Sequence, residues 1–108
     1  MQTPGDYTHL SGEELEAKLA SSEPPLVVDV RDDWEFRRYH IPEAVHIPLD
    51  EIAMRTDEID ADREIVCVCE HGMRSETAAE FLMGSGYKRV STMDGGMAAY
   101  EGKVTSGE

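Results

Sequence analysis

A cysteine followed by a short polar loop is the part of this sequence best suited to chemistry. Cys69 ends the apolar, mostly β-branched segment Ile65–Cys69, which predicts a buried strand. The residues after it lead directly into a predicted helix, Arg74–Ser85. A thiolate at the start of a helix faces unpaired backbone N–H groups and the positive end of the helix dipole, and both stabilise its charge. The sequence therefore makes Cys69 a candidate nucleophile.

The loop after Cys69 has residue types that can bind an anion. Gly72 allows the backbone to curl with its N–H groups inward, and Arg74 supplies a permanent positive charge. His71 is either a proton donor beside the sulfur or a side chain that faces water, and Met73 is predicted to contact ligands at the rim. The alternative interpretation is that a free cysteine at a strand end is a small, inert hydrophobe.

Other polar residues near predicted strand ends have more than one interpretation. Asp29 and Arg31 either act on substrate or form an ion pair, with Glu35 as a further partner, that orders the loops around the site. The structural role is favoured because ion-pair networks often involve charged groups that take no part in catalysis. Cys67 is predicted to be buried and inert. Two cysteines on one strand and one histidine lack a fourth ligand for a tetrahedral metal site, so we expect no metal or other cofactor.

Short predicted strands alternate with predicted helices along the chain. The predicted strands are Leu26–Val30, Ala44–Ile47, Ile65–Cys69 and Arg89–Met93. The predicted helices are one that begins after Ser11 with a Ser11/Glu14 capping box, Asp33–Tyr39, Asp50–Thr56, Arg74–Ser85, and a last one capped by Asp94 that runs to about Gly102. This alternation predicts an α/β fold with a central parallel sheet of about five short strands and helices on both faces.

The length and charge of the chain limit its class and its partners. A chain of 108 residues predicts a single domain, with its core at about 7–102 and a frayed tail at 103–108. Ten Lys and Arg residues stand against 23 Asp and Glu, which gives a net charge of −13 and disfavours binding to nucleic acid or anionic membrane. We expect no membrane helix and no secretory signal at Met1–Asp6, and therefore a reducing, cytoplasmic setting.

Taken in order, the motifs of this chain resemble a single-domain rhodanese, a sulfurtransferase. The resemblance runs from about Leu10 to Tyr100. Its matching positions are Asp29-Val30-Arg31, Glu35, His40-Ile41-Pro42, Ala44, Ile47-Pro48-Leu49, Cys69, Gly72, Arg74, Ser75, Ala78-Ala79, Leu82, Gly86-Tyr87, Val90 and Asp94-Gly95-Gly96. The chain departs from the family at Tyr39 and Glu43, where glycine is frequent, and at Tyr100, where tryptophan is common.

The resemblance implies that Cys69 moves a sulfane sulfur from a donor such as thiosulfate to a thiol or cyanide acceptor through a persulfide. The implied donor is a small sulfur anion or a protein persulfide, and a thiol such as that of thioredoxin is a possible acceptor. The substrate-binding residues implied are Glu70, His71, Gly72, Met73, Arg74 and Ser75. The residues implied to support the site are Asp29, Arg31, Glu35 and His40.

Two other functions occur on the same fold. Four residues separate Cys69 from Arg74, whereas the related phosphatases and arsenate reductases carry five, so the loop length favours sulfur chemistry over phosphate chemistry. A noncatalytic regulatory or sulfur-carrier binding module is the other alternative. Such modules often lack the cysteine, which this chain retains.

Overall fold

Five short parallel strands form one sheet in the computed structural model, which describes residues 6–107. In chain order they are β1 (Thr8–Leu10), β2 (Leu26–Asp29), β3 (Val45–His46), β4 (Ile65–Val68) and β5 (Val90–Met93). Across the sheet the order is β1-β5-β4-β2-β3, so β4, the strand that leads to Cys69, lies at the centre. The predicted parallel α/β architecture is confirmed. The sequence does not predict β1, because three residues are too few to show a strand pattern.

Helices cover both faces of this sheet. They are α1 (Gly12–Leu19), α2 (Asp33–Arg38), α3 (Met73–Gly84) and α4 (Gly96–Ala99). Among the buried residues on one face are Val28, Cys67 and Ala78, and on the other Leu15, Val27 and Met97. The two sets come from alternate positions of the same strands, because successive side chains of a strand point to opposite faces.

Hydrogen bonds at the helix ends explain where the predictions hold and where they fail. The capping box at α1 is confirmed, since Ser11 Oγ accepts the Glu14 N–H at 3.0 Å and Glu14 Oε1 accepts the Ser11 N–H at 2.8 Å. The predicted cap of the last helix is wrong. Asp94 Oδ1 lies 2.6 Å from His9 Nδ1 instead, Gly95 is the residue that precedes α4, and α4 ends before Tyr100.

The predicted helix at Asp50–Thr56 is also wrong. Two 3₁₀ helices, Leu49–Met54 and Thr56–Glu58, occupy this connection. The Arg55 N–H, for example, donates to the Ile52 carbonyl oxygen at 3.2 Å, three residues back. Short connectors commonly close such tighter turns, because they have too few residues to propagate an α-helix.

The tail differs from its predicted frayed state in the part that the structure describes. The backbones of Thr105 and His40 exchange two hydrogen bonds of 2.8 Å, and the Gly107 N–H donates to the Arg37 carbonyl oxygen at 2.8 Å. These bonds join backbone groups and need no particular side chain, so the sequence does not reveal them. Residues 1–5, on which the expectation of no secretory signal mainly rests, and Glu108 lie outside the described residues. No helix between residues 6 and 107 is long and apolar enough to cross a membrane.

The two positions where the family often has glycine behave differently. Tyr39 has φ −170°, an extended conformation open to any residue. Glu43 has φ +69°, the left-handed conformation that favours glycine. It follows Pro42 in a turn closed by the Ala44 N–H, which donates to the Ile41 carbonyl oxygen at 3.1 Å. Pro then Gly is the preferred pair for such a turn, so Glu43 adopts a strained conformation there.

Replacing Glu43 by glycine should stabilise the protein by about 1 kcal/mol, because it relieves the left-handed strain. The free energy of unfolding, measured by urea denaturation, checks this. Glu43→Ala is the matched control, since it removes the carboxylate and keeps the strain. Equal stability of the two variants would contradict a conformational origin of the gain.

Candidate active site

The sulfur of Cys69 lies at the carboxyl end of the central strand, enclosed by the loop that follows. Its residue is only 1% exposed. The Sγ atom accepts the backbone N–H groups of Gly72 at 3.0 Å and Ser75 at 3.2 Å. Gly72 precedes α3 and has φ +104°, a conformation that glycine adopts without strain. This is the arrangement of N–H donors that the sequence predicts around Cys69.

Helix α4 orients the loop from the opposite side. The Met97 N–H donates to the Cys69 carbonyl oxygen at 2.8 Å, and the Ala98 N–H donates to the Glu70 carbonyl oxygen at 3.0 Å. This approach requires a residue without a side chain, because a Cβ atom on Gly96 would lie 2.3 Å from the Glu70 carbonyl oxygen. With these carbonyl groups turned toward α4, the loop can direct its N–H groups toward the sulfur.

Ser75 fixes the other end of the loop. It is fully buried. Its hydroxyl donates to the Gly72 carbonyl oxygen at 3.0 Å and also hydrogen-bonds the hydroxyl of Thr92 on β5. The side chain therefore ties the first turn of α3 to the neighbouring strand, while its backbone N–H donates to Cys69.

Arg31 is a buried cation at the centre of an ion-pair cluster. Its guanidinium donates to both carboxylate oxygens of Asp29, at 2.9–3.2 Å, and to Glu70 Oε1 at 3.0 Å. It also donates to the Tyr39 carbonyl oxygen at 2.6 Å. Burial acts to lower the pKa of Arg31, but the hydrogen bonds to the two carboxylates outweigh it and raise that pKa. The predicted Asp29–Arg31 ion pair is present, but its further partner is Glu70. Glu35, the partner expected from the sequence, is paired with Arg74 instead.

A second ion pair joins the loop to α2. Arg74 donates from both terminal nitrogens to the two oxygens of Glu35, at 2.8 and 2.9 Å. Glu35 Oε1 also accepts the Asp32 N–H at 2.9 Å. The hydrogen bonds from Arg74 lower the pKa of Glu35, despite the opposing effect of burial. The charge of Arg74 is thus largely balanced by Glu35.

A surface depression of about 230 Å³ adjoins the loop. Its lining residues are Arg31, Trp34, Glu35, Arg38, Tyr39, Glu70, His71 and Arg74. His71 is exposed there, which suits either of its predicted roles. Three of the lining residues, Trp34, Arg38 and Tyr39, are absent from the predicted site. The spacing of Trp34 and Arg38, one turn apart on α2, is the sequence signal that places them on one face.

Six predicted site residues do not line the depression: Asp29, His40, Cys69, Gly72, Met73 and Ser75. Met73 is 78% exposed at the start of α3. His40 is buried behind α2, where its Nδ1 hydrogen-bonds the Phe36 carbonyl oxygen at 2.7 Å and its ring stacks on Phe36 with centroids 3.7 Å apart. His40 therefore packs against α2 and does not line the depression.

The two cysteines have different surroundings. Both are free thiols. Cys67 is fully buried within β4, and this burial raises the pKa of its thiol to about 12, so it stays protonated at neutral pH. Among residues 6–107, no group of three or more His, Cys, Asp or Glu side chains is arranged to hold a metal ion.

The comparisons with known proteins identify the family. Residues 11–103 match the rhodanese-like domain family. The chain belongs to this family. It is 40% identical over 81 residues to the thiosulfate sulfurtransferase GlpE of Pseudomonas syringae, and the match covers 75% of this chain and 76% of that protein.

Two further matches differ in how much of the other protein they cover. The crystal structure of a rhodanese-like domain protein from Staphylococcus aureus superposes with a TM-score of 0.86 at 30% identity, over 94% of this chain and 99% of that one. The Bacillus subtilis protein YrkF is 38% identical over 95 residues, which cover 88% of this chain. The match spans only 51% of YrkF.

The Glu35–Arg74 pair should stabilise the fold in a pH-dependent way. Because folding lowers the pKa of Glu35, the contribution is full above the ordinary carboxyl pKa of about 4.3 and is lost as the pH falls through the lowered folded-state value. We expect Glu35→Gln to cost about 1–2 kcal/mol near pH 7 and much less in acid. Urea denaturation of both proteins across pH checks this.

The same substitution at Glu51 is the control for this experiment. Glu51 forms an exposed ion pair with Arg55, which is expected to contribute less than about 1 kcal/mol. A difference between wild type and Glu35→Gln that does not vary with pH would show that the charge of Glu35 is not what stabilises the loop.

Proposed function

We propose that the protein is a sulfurtransferase that carries a sulfane sulfur on Cys69 as a persulfide. The observation that carries this proposal is the pair of N–H groups, from Gly72 and Ser75, that donate to Cys69 Sγ. N–H groups directed at the sulfur can stabilise negative charge on it while it attacks a donor. The same type of donor can stabilise charge that develops on a second sulfur.

Further N–H groups of the loop are available for that second sulfur. Those of Met73 and Arg74, at the start of α3, have no acceptor in the part of the chain that the structure describes. The first N–H groups of a helix lack partners within it and bind anions readily. In the proposed reaction these groups hold the transferred sulfur and the negative end of the donor.

The proposed reaction has two balanced steps. The Cys69 thiolate attacks the outer sulfur of thiosulfate, the sulfur–sulfur bond of the donor breaks, and sulfite leaves with the electron pair. An acceptor thiolate or cyanide then attacks the outer sulfur of the Cys69 persulfide, and the Cys69 thiolate leaves. No external oxidant or reductant is consumed, and two covalent half-reactions imply ping-pong kinetics.

We propose the sulfur donor and the sulfur acceptor only as chemical classes. We take the donor to be a small sulfur anion or a protein persulfide, and the acceptor to be a thiol such as that of thioredoxin. The free state of both cysteines suits a reducing, cytoplasmic compartment. Fractionation of the producing cells would test that location.

Treatment with thiosulfate should add one sulfur atom to the protein at Cys69, and a reductant should remove it. Cys69→Ser should abolish this addition and the transfer to cyanide, because a serine oxygen cannot form the persulfide. Intact mass measurement before and after reduction checks the result. Cys67→Ala is the matched control and should retain the addition, because Cys67 is buried and protonated.

Two results would contradict the proposal. One is sulfur transfer that persists at its full rate in Cys69→Ser. The other is a Cys69-dependent hydrolysis of aryl phosphates together with no sulfur addition, which would favour phosphatase chemistry.

Glu70 should make thiosulfate a weak-binding donor. Its carboxylate lines the depression and shares Arg31 with Asp29, so these three groups carry a net charge of −1. Glu70→Gln should lower the KM for thiosulfate by up to about fivefold, corresponding to roughly 1 kcal/mol of repulsion in a solvated site. Steady-state kinetics at low salt measure this.

Added salt provides the internal control for the Glu70 experiment. It should lower the KM of the wild type by screening, and lower that of Glu70→Gln less. An unchanged KM at low salt in the variant would show that the carboxylate does not act on the bound donor.

A further inference from the structure

One guanidinium in the depression beside the Cys69 loop has no carboxylate partner among the residues that the structure describes. Arg31 is paired with Asp29 and Glu70, and Arg74 is paired with Glu35. Arg38 lines the same depression, but its side chain makes no ion pair or hydrogen bond with any residue in the range 6–107. Its guanidinium lies 5.9 Å from the centre of the Tyr39 ring. Arg38 is therefore free to bind an anionic ligand.

A large, exposed aromatic side chain lines the depression together with this cation. Trp34 lies one helical turn before Arg38 on α2, lines the depression, and has 63% of its surface exposed. A large exposed aromatic ring next to a guanidinium suits a ligand that has both a carbon chain and a negative group.

The position of Arg38 sets the length of that ligand. Glu35 contacts the loop through Arg74, and Arg38 lies three residues further along α2, about 4.5 Å along the helix axis. In thiosulfate the negative oxygens are attached directly to the sulfur next to the reacting one. Arg38 lines the depression and Cys69 does not, so a ligand that contacts both needs its negative group further from the reacting sulfur than thiosulfate has it.

The charge of the surroundings sets the charge of the ligand. Arg38 faces a depression that also contains the carboxylates of Glu35 and Glu70, in a chain of net charge −13. A single free guanidinium balances one negative charge, and its planar fork matches a carboxylate. A monoanionic carboxylate fits this site better than a dianion does.

We propose that Arg38 binds the carboxylate of a small organic persulfide, R–S–SH, whose carbon chain packs on Trp34. This inference rests on the proposed sulfurtransferase function and names its donor class. In the step that follows, the Cys69 thiolate attacks the outer sulfur of the donor. The donor's sulfur–sulfur bond breaks, the thiolate R–S⁻ leaves with the electron pair, and the outer sulfur stays on Cys69 as the persulfide.

Two donors that differ in one group test this proposal. The persulfides of 3-mercaptopropionate and of 3-mercaptopropionamide have the same chain length, but only the first carries a carboxylate. The rate at which Cys69 gains sulfur from each is measured by mass spectrometry in a single turnover at low salt. We expect the wild type to prefer the carboxylate donor by about three- to fivefold, the range of an exposed ion pair.

Two variants assign that preference to a residue. Arg38→Gln should remove it, so that the carboxylate and amide donors transfer sulfur at equal rates. Arg37→Gln is the matched control, with the same charge change one residue away, where Arg37 is paired with Asp33 outside the depression. It should keep the preference.

The outcomes separate this inference from the function on which it rests. A preference that survives in Arg38→Gln, or that Arg37→Gln removes equally, would overturn the role of Arg38 while sulfur transfer stands. If neither donor adds sulfur to Cys69 in the wild type, and thiosulfate also fails, the proposed function itself is wrong and the inference falls with it.

Discussion

Two hydrogen bonds from α4 to the loop after Cys69 are the constraint on which the rest of the site depends. The N–H groups of Met97 and Ala98 hold the carbonyl oxygens of Cys69 and Glu70, so the loop can turn its own N–H groups toward the sulfur. A chain without glycine at position 96 could not make this approach, because a Cβ atom there would overlap the Glu70 carbonyl. The site thus needs β4 and β5 side by side, since β4 delivers Cys69 and β5 leads into α4.

The ion pairs around the loop explain why most of its positive charge is not available to a substrate. Arg31 is buried with Asp29 and Glu70, and the charge of Arg74 is balanced by Glu35. Buried charges require such partners, because an unpaired one would carry a large desolvation cost. The backbone N–H groups then supply most of the positive potential near Cys69 Sγ. The electrostatic field of a chain with a net charge of −13 opposes the approach of highly charged anionic donors.

The features of the fold and the site that could be predicted from the sequence are those that depend on local patterns of side-chain types. Local spacing along the chain is enough to identify three features: the strand in the apolar run Ile65–Cys69, the Ser11/Glu14 capping box and the loop from Cys69 to Arg74. The structure contains all three. The parts that were missed depend on backbone pairing or on distant partners. Three-residue β1 is defined by its partner β5, and the tail is held by backbone bonds between Thr105 and His40. Aspartate is a residue type that often caps helices, but the Asp94 carboxylate hydrogen-bonds His9 instead.

A crystal structure of the protein after treatment with thiosulfate is the most direct test of a persulfide on Cys69, because it locates the transferred sulfur relative to the loop. We expect a second sulfur bonded to Cys69 Sγ, within hydrogen-bonding distance of loop N–H groups such as those of Met73 and Arg74, with the contacts from α4 to Cys69 and Glu70 unchanged. A sulfur that points away from these N–H groups, or a Cys69 that stays unmodified while another residue carries the sulfur, would contradict this expectation.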